Sequence, residues 1–421
     1  MFFRPRIASL AKRMYNRASS TSTGMASLLN PTEEHFALRS ALRKFVEKEV
    51  EPQANDFNRR EAFNVDLFRK FGTNELGILG LTVSEKYNGT DFDATAVALV
   101  HEELSYSDPA LCLSYLAHSL LFTNNLAVNG NEDQKQCYLP GACDGSLIGG
   151  MCMSEAAAGT DVLGMKTSAK YDDSMKGWVL NGTKIWITNG TLDGKGTGDI
   201  FLVYAKTGDQ RTDVTQFLVR NDMDGFSLGQ KIKDKLGMRA SPTAELVFKD
   251  VFIPEDHVVG EVNGALLCMM RNLEIERVGL AAMGLGIARR CIDVMKEYAN
   301  ERSAFGSNLY KFGQIQRSIA ESYAEFQAGR SYVYSFANSL DLQTHGNGLD
   351  ADGVKLYCAR MSKNVADRAI QVLGGYGYVG EYVVERLWRD AKLLEIGGGT
   401  NESHHKNIAR DLSKMGSTPL N

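Results

Sequence analysis

Residues 151–190 read MCMSEAAAGTDVLGMKTSAKYDDSMKGWVLNGTKIWITNG, and no other stretch of the chain is as informative. The pair Asn181-Gly182 lies between two apolar runs, Trp178–Leu180 and Ile185–Ile187, a pattern that predicts a two-residue β-hairpin. Trp186 and Thr188 then bring an aromatic ring close to a hydroxyl. Such a pair can flank a flat heteroaromatic ring and hydrogen-bond its nitrogens, although an ordinary strand with a buried tryptophan shows the same pattern.

The composition narrows the classes of function. A chain of 421 residues can bury a large core and form more than one domain. Its formal net charge of −4 gives no basic surface, so nucleic acid is not expected as a partner. The seven cysteines include no C-x-x-C pair, which argues against a disulfide scaffold or a zinc ribbon, and no metal is expected. No apolar run reaches the length that predicts a transmembrane segment.

The N-terminus has its own character. Five basic residues precede the first acidic residue, Glu33: Arg4, Arg6, Lys12, Arg13 and Arg17. Serines and threonines cluster at 19–23, and an Arg-rich leader without acids is typical of a mitochondrial transit peptide. We therefore expect residues 1–25 to be a transit peptide and the protein to act in the mitochondrial matrix. The alternative is a basic tail that carries no address.

Periodicity divides the remainder into three predicted domains: 30–145, 146–260 and 261–421. In the first, Leu38, Leu42, Val46 and Val50 share one helical face until Pro52 ends the run. In the second, short β-rich runs alternate with turns and predict a barrel or sandwich; they include Ile200–Tyr204, Gln216–Val219 and Glu245–Val251. In the third the helical period returns, most clearly in Leu266–Asn300. These regions predict a segregated α+β fold.

A second group of chemically distinctive residues lies far downstream: Gln371, Gly374-Gly375, Gly377-Tyr378, Glu381, Arg386 and Asp390. Together with residues 151–190, this group resembles the acyl-CoA dehydrogenases, and the resemblance runs from about Thr32 almost to the C-terminus. Within the family it is closest to the isovaleryl-CoA dehydrogenases. The resemblance implies an N-terminal helical domain, a central β-barrel or sandwich and a C-terminal four-helix bundle. It also implies FAD as cofactor, an acyl-CoA substrate, electron-transfer flavoprotein as acceptor and a homotetramer.

Dehydrogenation of an acyl thioester needs a base for the α-proton and a flavin to accept the β-hydride. In short- and medium-chain family members the base lies in a Tyr-Glu-Gly-Thr turn, which here reads Gly397-Gly398-Gly399-Thr400. In isovaleryl-CoA and long-chain members it lies within a helix, in a motif that Leu273–Arg277 matches. The match identifies Glu276 as the catalytic base. Independently, Glu276 shares an apolar helical stripe with Leu280 and Met283.

The resemblance assigns substrate contacts close to this base. The backbone N–H of Gly398, together with the ribityl hydroxyl of the flavin, is expected at the thioester carbonyl, where these donors stabilise the developing enolate. Gly399 of the same turn is also expected to bind the substrate. Glu274, Arg277 and Thr160 complete the predicted substrate-binding set. Glu274 lies on the opposite side of the helix from Glu276 and can pair with Arg277 at i,i+3. The alternative is that Glu274 and Glu276 are both ordinary surface residues that form salt bridges.

The resemblance also assigns the cofactor contacts. One group is expected around the flavin: Met151, Met153, Ser154, Gly159, Thr160, Trp186, Ile187 and Thr188. Thr160 is also expected to touch the pantetheine arm of CoA. A further FAD contact is expected from Thr400, Asn401 and Glu402. A second group is expected to clasp the ADP part of FAD from a neighbouring subunit: Arg302, Gln371, Gly374 and Gly375. A guanidinium at Arg302 suits a pyrophosphate because the pair can be bidentate.

Several positions depart from the family pattern. Gly313 replaces a glutamine expected to contact FAD, and Gln314 is the candidate substitute. The loop Glu155–Gly159 lacks the usual proline, which predicts a less rigid loop. Leu267 stands where a substrate-side tyrosine is common, so the acyl pocket is expected to differ. The pair His404-His405 points in directions about 100° apart on a helix, a poor metal site, and is read as surface.

The leading interpretation is oxidation of isovaleryl-CoA to 3-methylcrotonyl-CoA, a step of leucine catabolism. A dehydrogenase for long-chain or other short or branched acyl-CoA esters is the main alternative, because it can share the helix-borne base. An acyl-CoA oxidase fits the chain length and the leader less well. A non-catalytic relative with an assembly role is the alternative of another class, and the retained Glu276 argues against it.

Overall fold

The computed structural model describes residues 27–73 and 76–416. The predicted transit peptide, residues 1–25, lies outside the described residues. The N-terminal part is helical: α1 (Glu33–Phe45), α2 (Glu51–Arg60), α3 (Val65–Lys70), α4 (Ala94–Ser107), α5 (Pro109–Leu116), α6 (Asn125–Asn129) and α7 (Glu132–Asp144). Two π-helical segments, Val46–Val50 and Ala117–Asn124, join α1 to α2 and α5 to α6.

Capping chemistry fixes where these helices begin. The Thr32 side chain caps α1, and Asn131 and Gln134 form a reciprocal capping box at the start of α7, where the sequence predicted a helix start. The prediction that Pro52 ends the first helix is wrong. Helical structure continues to Arg60, because the wider turn before α2 places Pro52 in the first turn of the new helix, where a missing N–H is tolerated.

The central part is a mainly antiparallel sheet: β1 (Gly149–Cys152), β2 (Ser168–Asp172), β3 (Gly177–Thr188), β4 (Ile200–Lys206), β5 (Val214–Arg220), β6 (Phe226–Lys231), β7 (Thr243–Pro254) and β8 (Val258–Val259). The strands follow the order β6-β7-β3-β2-β4-β5-β8, with β1 parallel to β4. Aromatic and branched side chains from one face form a separate core around Trp178, Phe201 and Phe217. All three predicted strands are present.

The predicted hairpin at Asn181-Gly182 is wrong. Strand β3 runs through both residues without a break, and β2 pairs with β3 across residues 173–176 instead. The register against β7 shifts between Leu180 and Gly182, which marks a β-bulge. A Cβ at Gly182 would overlap with Thr167, so glycine is required there for close approach rather than for a turn.

The C-terminal part is helical again: α8 (Ala265–Glu301), α9 (Gly313–Ser339), α10 (Gly348–Leu373), α11 (Val384–Leu394) and α12 (Asn401–Met415). A short hairpin, β9 (Ser303–Ala304) and β10 (Ser307–Asn308), separates α8 from α9. The long helix predicted from Leu266 to Asn300 is confirmed as α8, which packs against both α4 and α10. It therefore lies at the centre of the helical core.

Buried ion pairs join the N-terminal helices to the C-terminal ones. Glu102 and Glu103 of α4 are almost completely buried and bond Arg39 of α1, Arg289 of α8 and Arg330 of α9. Buried carboxylates need such partners, because an unpaired charge in the core is strongly destabilising. The network fixes α8 against the N-terminal helices at a distance from the predicted site.

One helical stretch, Pro109–Asn129, is long and apolar enough to cross a membrane by length and composition. This differs from the expectation that no run reaches that length. Its most apolar window is 83% buried inside the protein, as in the core helix of a globular domain.

Candidate functional site

Glu276 lies in the middle of α8 with its carboxylate buried. Its helical neighbours Leu280, Met283 and Ile287 are buried as well, which confirms the apolar stripe predicted for this face. Burial raises the pKa of Glu276 to about 7, although the charges of Arg277 and Lys355 act in the opposite direction. A carboxylate with a pKa near neutrality suits a general base.

The three-glycine turn lies directly against this carboxylate. A Cβ on Gly398 would lie 3.5 Å from the carboxyl carbon of Glu276 and would overlap with Leu280. Gly398 and Gly399 both have positive φ angles, +65° and +98°, which favour glycine. The structure thus brings together the predicted base on α8 and the predicted substrate-binding glycines on the turn before α12, which are far apart in sequence.

A buried polar network supports the turn from behind. Lys355 of α10 donates to the Gly399 carbonyl oxygen at 2.6 Å, and the His404 Nε2 lies 3.0 Å from the same oxygen. The His404 Nδ1 bonds Asp352, which also pairs with Arg277 Nη1 at 3.2 Å. The assignment of His404 to the surface is therefore wrong, whereas His405 is exposed as predicted. His404 is buried because its two ring nitrogens find acceptors inside the fold.

The predicted pair between Glu274 and Arg277 is also wrong. Arg277 pairs with Asp352, and the buried Glu274 carboxylate accepts the backbone N–H groups of Gly346 and Asn347 at 3.0–3.1 Å. These contacts tie α8 to the loop before α10. Glu274 therefore has a structural role in this chain. Its carboxylate bonds the loop before α10 and does not bond a group beside Glu276.

A buried ion pair holds the loop that was predicted to wrap the flavin. The Lys184 ammonium is fully buried and donates to Glu155 Oε1 at 2.9 Å and to the Met153 carbonyl at 3.0 Å. Glu155 also accepts the backbone N–H groups of Lys166 and Thr167. Burial acts to raise the pKa of Glu155, but Lys184 and these bonds hold it below its usual value. These contacts anchor the loop at Glu155.

The residues predicted to contact the flavin come together at the loop after β1 and the end of β3. The Ile185 N–H donates to the Ser154 carbonyl, so the loop after β1 lies beside the end of β3. Trp186 has φ +66° and a side chain that is 60% exposed, at a bulge in the ladder between β3 and β7. A large ring turned outward from a strand with a left-handed backbone is uncommon and marks a constrained position. Thr188 follows, half-buried, on the same strand.

The end of the chain adds polar groups that suit a cofactor. Thr400 caps the start of α12, and the Asn401 Oδ1 atom is buried without a hydrogen-bond partner within residues 27–73 and 76–416. A buried acceptor without a partner is costly, which indicates a bound group in the working protein. Glu402 is exposed beside them. The exposed indole of Trp186, the Thr188 hydroxyl and this orphaned amide oxygen fit the aromatic and polar surfaces of FAD.

One contact connects the strand with the predicted flavin residue Met151 to the helix with the predicted base, Glu276. Asn272, one helical turn before Glu276, donates to the Met151 sulfur at 3.4 Å. Met153 is buried in a small cluster that also contains Met269 of α8. The segment that carries Met151 and Met153 is therefore packed against α8, the helix that carries the predicted base.

The remaining predicted cofactor residues lie elsewhere. Because α8 rises about 1.5 Å per residue, Arg302 lies about 40 Å along the axis from Glu276. Arg302 and Gln371 are exposed, and so are Gly374 and Gly375 at the end of α10. The rings of Tyr298 and Tyr376, 6.3 Å apart, bring the ends of α8 and α10 together. One chain thus contains two separate groups of predicted contacts.

Three predicted departures stay at the surface: Leu267, Gly313 and Gln314 are exposed. Sequence reasoning missed Lys184, Asp352 and Lys355. A signal existed for Lys355, which falls on a helical stripe with Ala351 and Cys358, as Glu276 does on its own stripe. Lys184 gave none, because a lysine between polar and apolar strand residues usually faces solvent.

Family models match most of the chain. The acyl-CoA dehydrogenase N-terminal domain matches residues 32–146, the middle domain 150–251 and the C-terminal domain 264–413. The mitochondrial isovaleryl-CoA dehydrogenase of Solanum tuberosum is 40% identical over 92% of this chain and 92% of its own length. The mitochondrial 2-methylacyl-CoA dehydrogenase of the same species is 37% identical over 96% of this chain and 95% of its own.

Solved structures agree. Butyryl-CoA dehydrogenase from Megasphaera elsdenii has a TM-score of 0.85 at 30% identity, covering 93% of this chain and 100% of its own. A chain from the electron transferring flavoprotein structure of Acidaminococcus fermentans also has 0.85, at 29% identity, covering 93% and 99%. A glutaryl-CoA dehydrogenase from Mycobacterium smegmatis, in complex with FADH2, has 0.83 at 27% identity, covering 91% and 95%. The chain belongs to the acyl-CoA dehydrogenase family of FAD-dependent oxidoreductases and has its fold.

Proposed function

We propose that this acyl-CoA dehydrogenase converts isovaleryl-CoA to 3-methylcrotonyl-CoA, with Glu276 as the base that removes the α-proton. The observation that carries the role of Glu276 is its buried carboxylate, held against the Gly398 turn. Burial raises its pKa to about 7, near the range in which a general base works best.

The residues of this chain divide the chemistry. The thioester carbonyl binds at the Gly398 N–H, which stabilises the negative charge that develops as the α-proton leaves. Glu276 takes that proton, and the positive charges of Arg277 and Lys355 favour the carboxylate form beforehand. When bound, FAD supplies the acceptor for the hydride from the β-carbon. The apolar side chains of Leu280 and Met283 limit access of water to the carboxylate.

The cofactor contacts are proposed as two groups. The flavin ring is bound by the loop from Met151 to Thr160, by Trp186 to Thr188 and by the residues Thr400 to Glu402. The ADP part is bound by Arg302, Gln371, Gly374 and Gly375 of a neighbouring subunit. The large separation between the groups in one chain supports this division, since a single FAD reaches both only if two subunits contribute.

The substrate preference rests on the relatives. The potato relative at 40% identity is an isovaleryl-CoA dehydrogenase. The 2-methylacyl-CoA dehydrogenase of the same plant, at 37%, favours a second candidate with the branch at the α-carbon. Long straight-chain esters are the third candidate, because the helix-borne base alone does not distinguish them.

The wider setting is proposed on the same basis. We place the enzyme in the mitochondrial matrix because the similar potato enzymes are mitochondrial and residues 1–25 are rich in arginine. Electron-transfer flavoprotein is the proposed acceptor, and a similar chain occurs in a solved structure of such a protein. The proposed assembly is a homotetramer, with domains at 30–145, 146–260 and a four-helix bundle at 261–421.

Anaerobic titration of the purified flavoprotein tests the substrate. Isovaleryl-CoA, 2-methylbutanoyl-CoA and palmitoyl-CoA are added separately while the absorption of oxidised flavin is followed. Fast bleaching by isovaleryl-CoA alone supports the proposal. Preferential bleaching by either of the other two esters transfers the assignment to that substrate, and a yellow protein that none of them bleaches refutes it.

A further inference from the structure

The Gly399 carbonyl oxygen lies where three buried elements meet. Lys355 approaches it from α10 at 2.6 Å and His404 from α12 at 3.0 Å. The preceding glycine, Gly398, lies against Glu276 of α8. Lys355 and His404 are fully buried and Asp352 nearly so, which is unusual for charged side chains in a helical core. Two donors on one carbonyl oxygen fix the peptide that carries it.

The two donors are not equivalent. Asp352 and the Gly399 carbonyl oxygen both act as acceptors toward His404, so the ring makes both bonds only when both its nitrogens carry protons. Burial lowers the pKa of His404, while Asp352 opposes this effect. In the neutral ring one of the two bonds is lost. Lys355 keeps an N–H for Gly399 in either protonation state, and it is therefore the more constant support.

We propose that Lys355 is a positioning residue: its bond to the Gly399 carbonyl oxygen holds the Gly397–Gly399 turn over Glu276, with the Asp352–His404 pair as a second support. The proposal rests on the proposed roles of Glu276 and of the Gly398 N–H. Lys355 has no contact with substrate or flavin in this scheme. It acts through the turn and through its charge, which favours the Glu276 carboxylate.

Other charged and titratable groups also face this cluster. They are Glu276 and Arg277 of α8, Asp352 of α10, His404 and Arg410 of α12, Glu395 before the turn and Tyr204 of β4. Lys355 both bonds the turn and places positive charge near Glu276. Replacing it therefore gives a two-part signature.

Two substitutions separate the two parts. Lys355→Met removes the bond and the charge, whereas Lys355→Gln keeps a neutral donor for Gly399. Lys363→Met, on the same helix and half-buried, is the matched control. The holoenzymes are compared by kcat and KM across pH 6 to 9, and by hydrogen–deuterium exchange of the peptide that spans the Gly397–Gly399 turn.

Lys355→Met should lower kcat by about tenfold or more, change KM less than kcat, and speed exchange of the turn amides. The acidic limb of the kcat profile should move up by about one pH unit, because the carboxylate loses a nearby positive charge. Lys355→Gln should show the shifted limb with exchange close to wild type.

The proposal would be overturned if Lys355→Met matched Lys363→Met in three measurements: the exchange rate of the turn amides, kcat, and the position of the acidic limb of the kcat profile. If Lys355→Met does not accumulate as a flavin-loaded protein, Lys355→Gln decides: an unmoved limb overturns the proposal, and a shifted limb with slow exchange supports it. Failure of Glu276 as base is a different result. Glu276→Gln would then keep its turnover, while the exchange of the turn still reports on Lys355.

Discussion

Replacing Glu276 by glutamine should abolish turnover and stabilise the protein at the same time. Glutamine keeps the size of the side chain but cannot accept the α-proton. Loss of a general base lowers rates by about 10²- to 10⁴-fold, so residual activity should be at most about one per cent of wild type. FAD should remain bound, because the proposed cofactor contacts do not include this residue.

The stability change follows from the pKa. Burial raises the pKa of Glu276 from 4.5 to about 7. Because the folded pKa lies above the unfolded one, the stability linked to this group is present below pH 4.5 and is lost as pH rises through about 7. The difference amounts to about 3 kcal/mol. Glutamine avoids this loss, so the variant should be more stable than wild type by up to about 3 kcal/mol at pH 8, with little difference at pH 4.5.

The assay combines steady-state dehydrogenation with thermal melting at saturating FAD, at pH 5 and pH 8. Glu274→Gln is the control on the same helix. Its carboxylate accepts backbone N–H groups of the loop before α10, so its loss should lower the melting temperature at both pH values. Normal turnover in Glu276→Gln would refute the base assignment. A melting temperature below wild type at pH 8 would refute the description of Glu276 as a buried charge.

Three further outcomes follow from the same contacts. The wild-type kcat/KM should rise with pH through an apparent pKa of about 7 and level off above it, since only the Glu276 carboxylate accepts a proton; a flat profile between pH 6 and 8 would contradict this. Lys184→Met should weaken FAD binding at least about tenfold and destabilise the fold by about 3 kcal/mol, because it leaves the buried Glu155 without its charged partner. Isothermal titration of the apoprotein with FAD measures the loss of binding, and the exposed Lys170→Met is the control. The double variant Glu276→Gly, Gly398→Glu should recover little activity, because a side chain at position 398 would overlap with Leu280 and the backbone there has a positive φ. Adding Leu280→Ala to it should raise the activity measurably. Equal activity in the double and triple variants would contradict the overlap.

Much of the architecture could be predicted from periodicity and punctuation. The helix from Ala265 to Glu301 and the strand from Ile200 to Lys206 have strong local patterns, and the structure confirms both. The hairpin predicted at Asn181-Gly182 was wrong because an Asn-Gly pair looks the same in the sequence whether the glycine is needed for a turn or for close packing against Thr167. Local sequence cannot separate these two cases, since only the tertiary neighbour differs.

The site shows the same limit. Glu276 was predicted from the family motif and from the glycine at 398, and its place on an apolar helical stripe supported the prediction. His404 was misassigned because its partner Asp352 lies on α10, which only tertiary packing brings against α12. Lys184 was missed for a similar reason, since Glu155 lies across the sheet. A buried ion pair depends on two residues at once, and neither of them alone carries the signal.

The positions of Glu276 and Gly398 show that a carboxylate on α8 and a carboxylate on the turn would occupy the same place. A Cβ at Gly398 would lie 3.5 Å from the Glu276 carboxyl carbon, so a carboxylate from the turn and one from α8 compete for the same space. Two carboxylates that close cannot both ionise near neutral pH, because each raises the pKa of the other. A glutamate on the helix therefore favours a residue without a side chain on the turn. Under the proposed function, glycine at 398 leaves its backbone N–H for the thioester, so that the turn would keep the donor while α8 supplies the base.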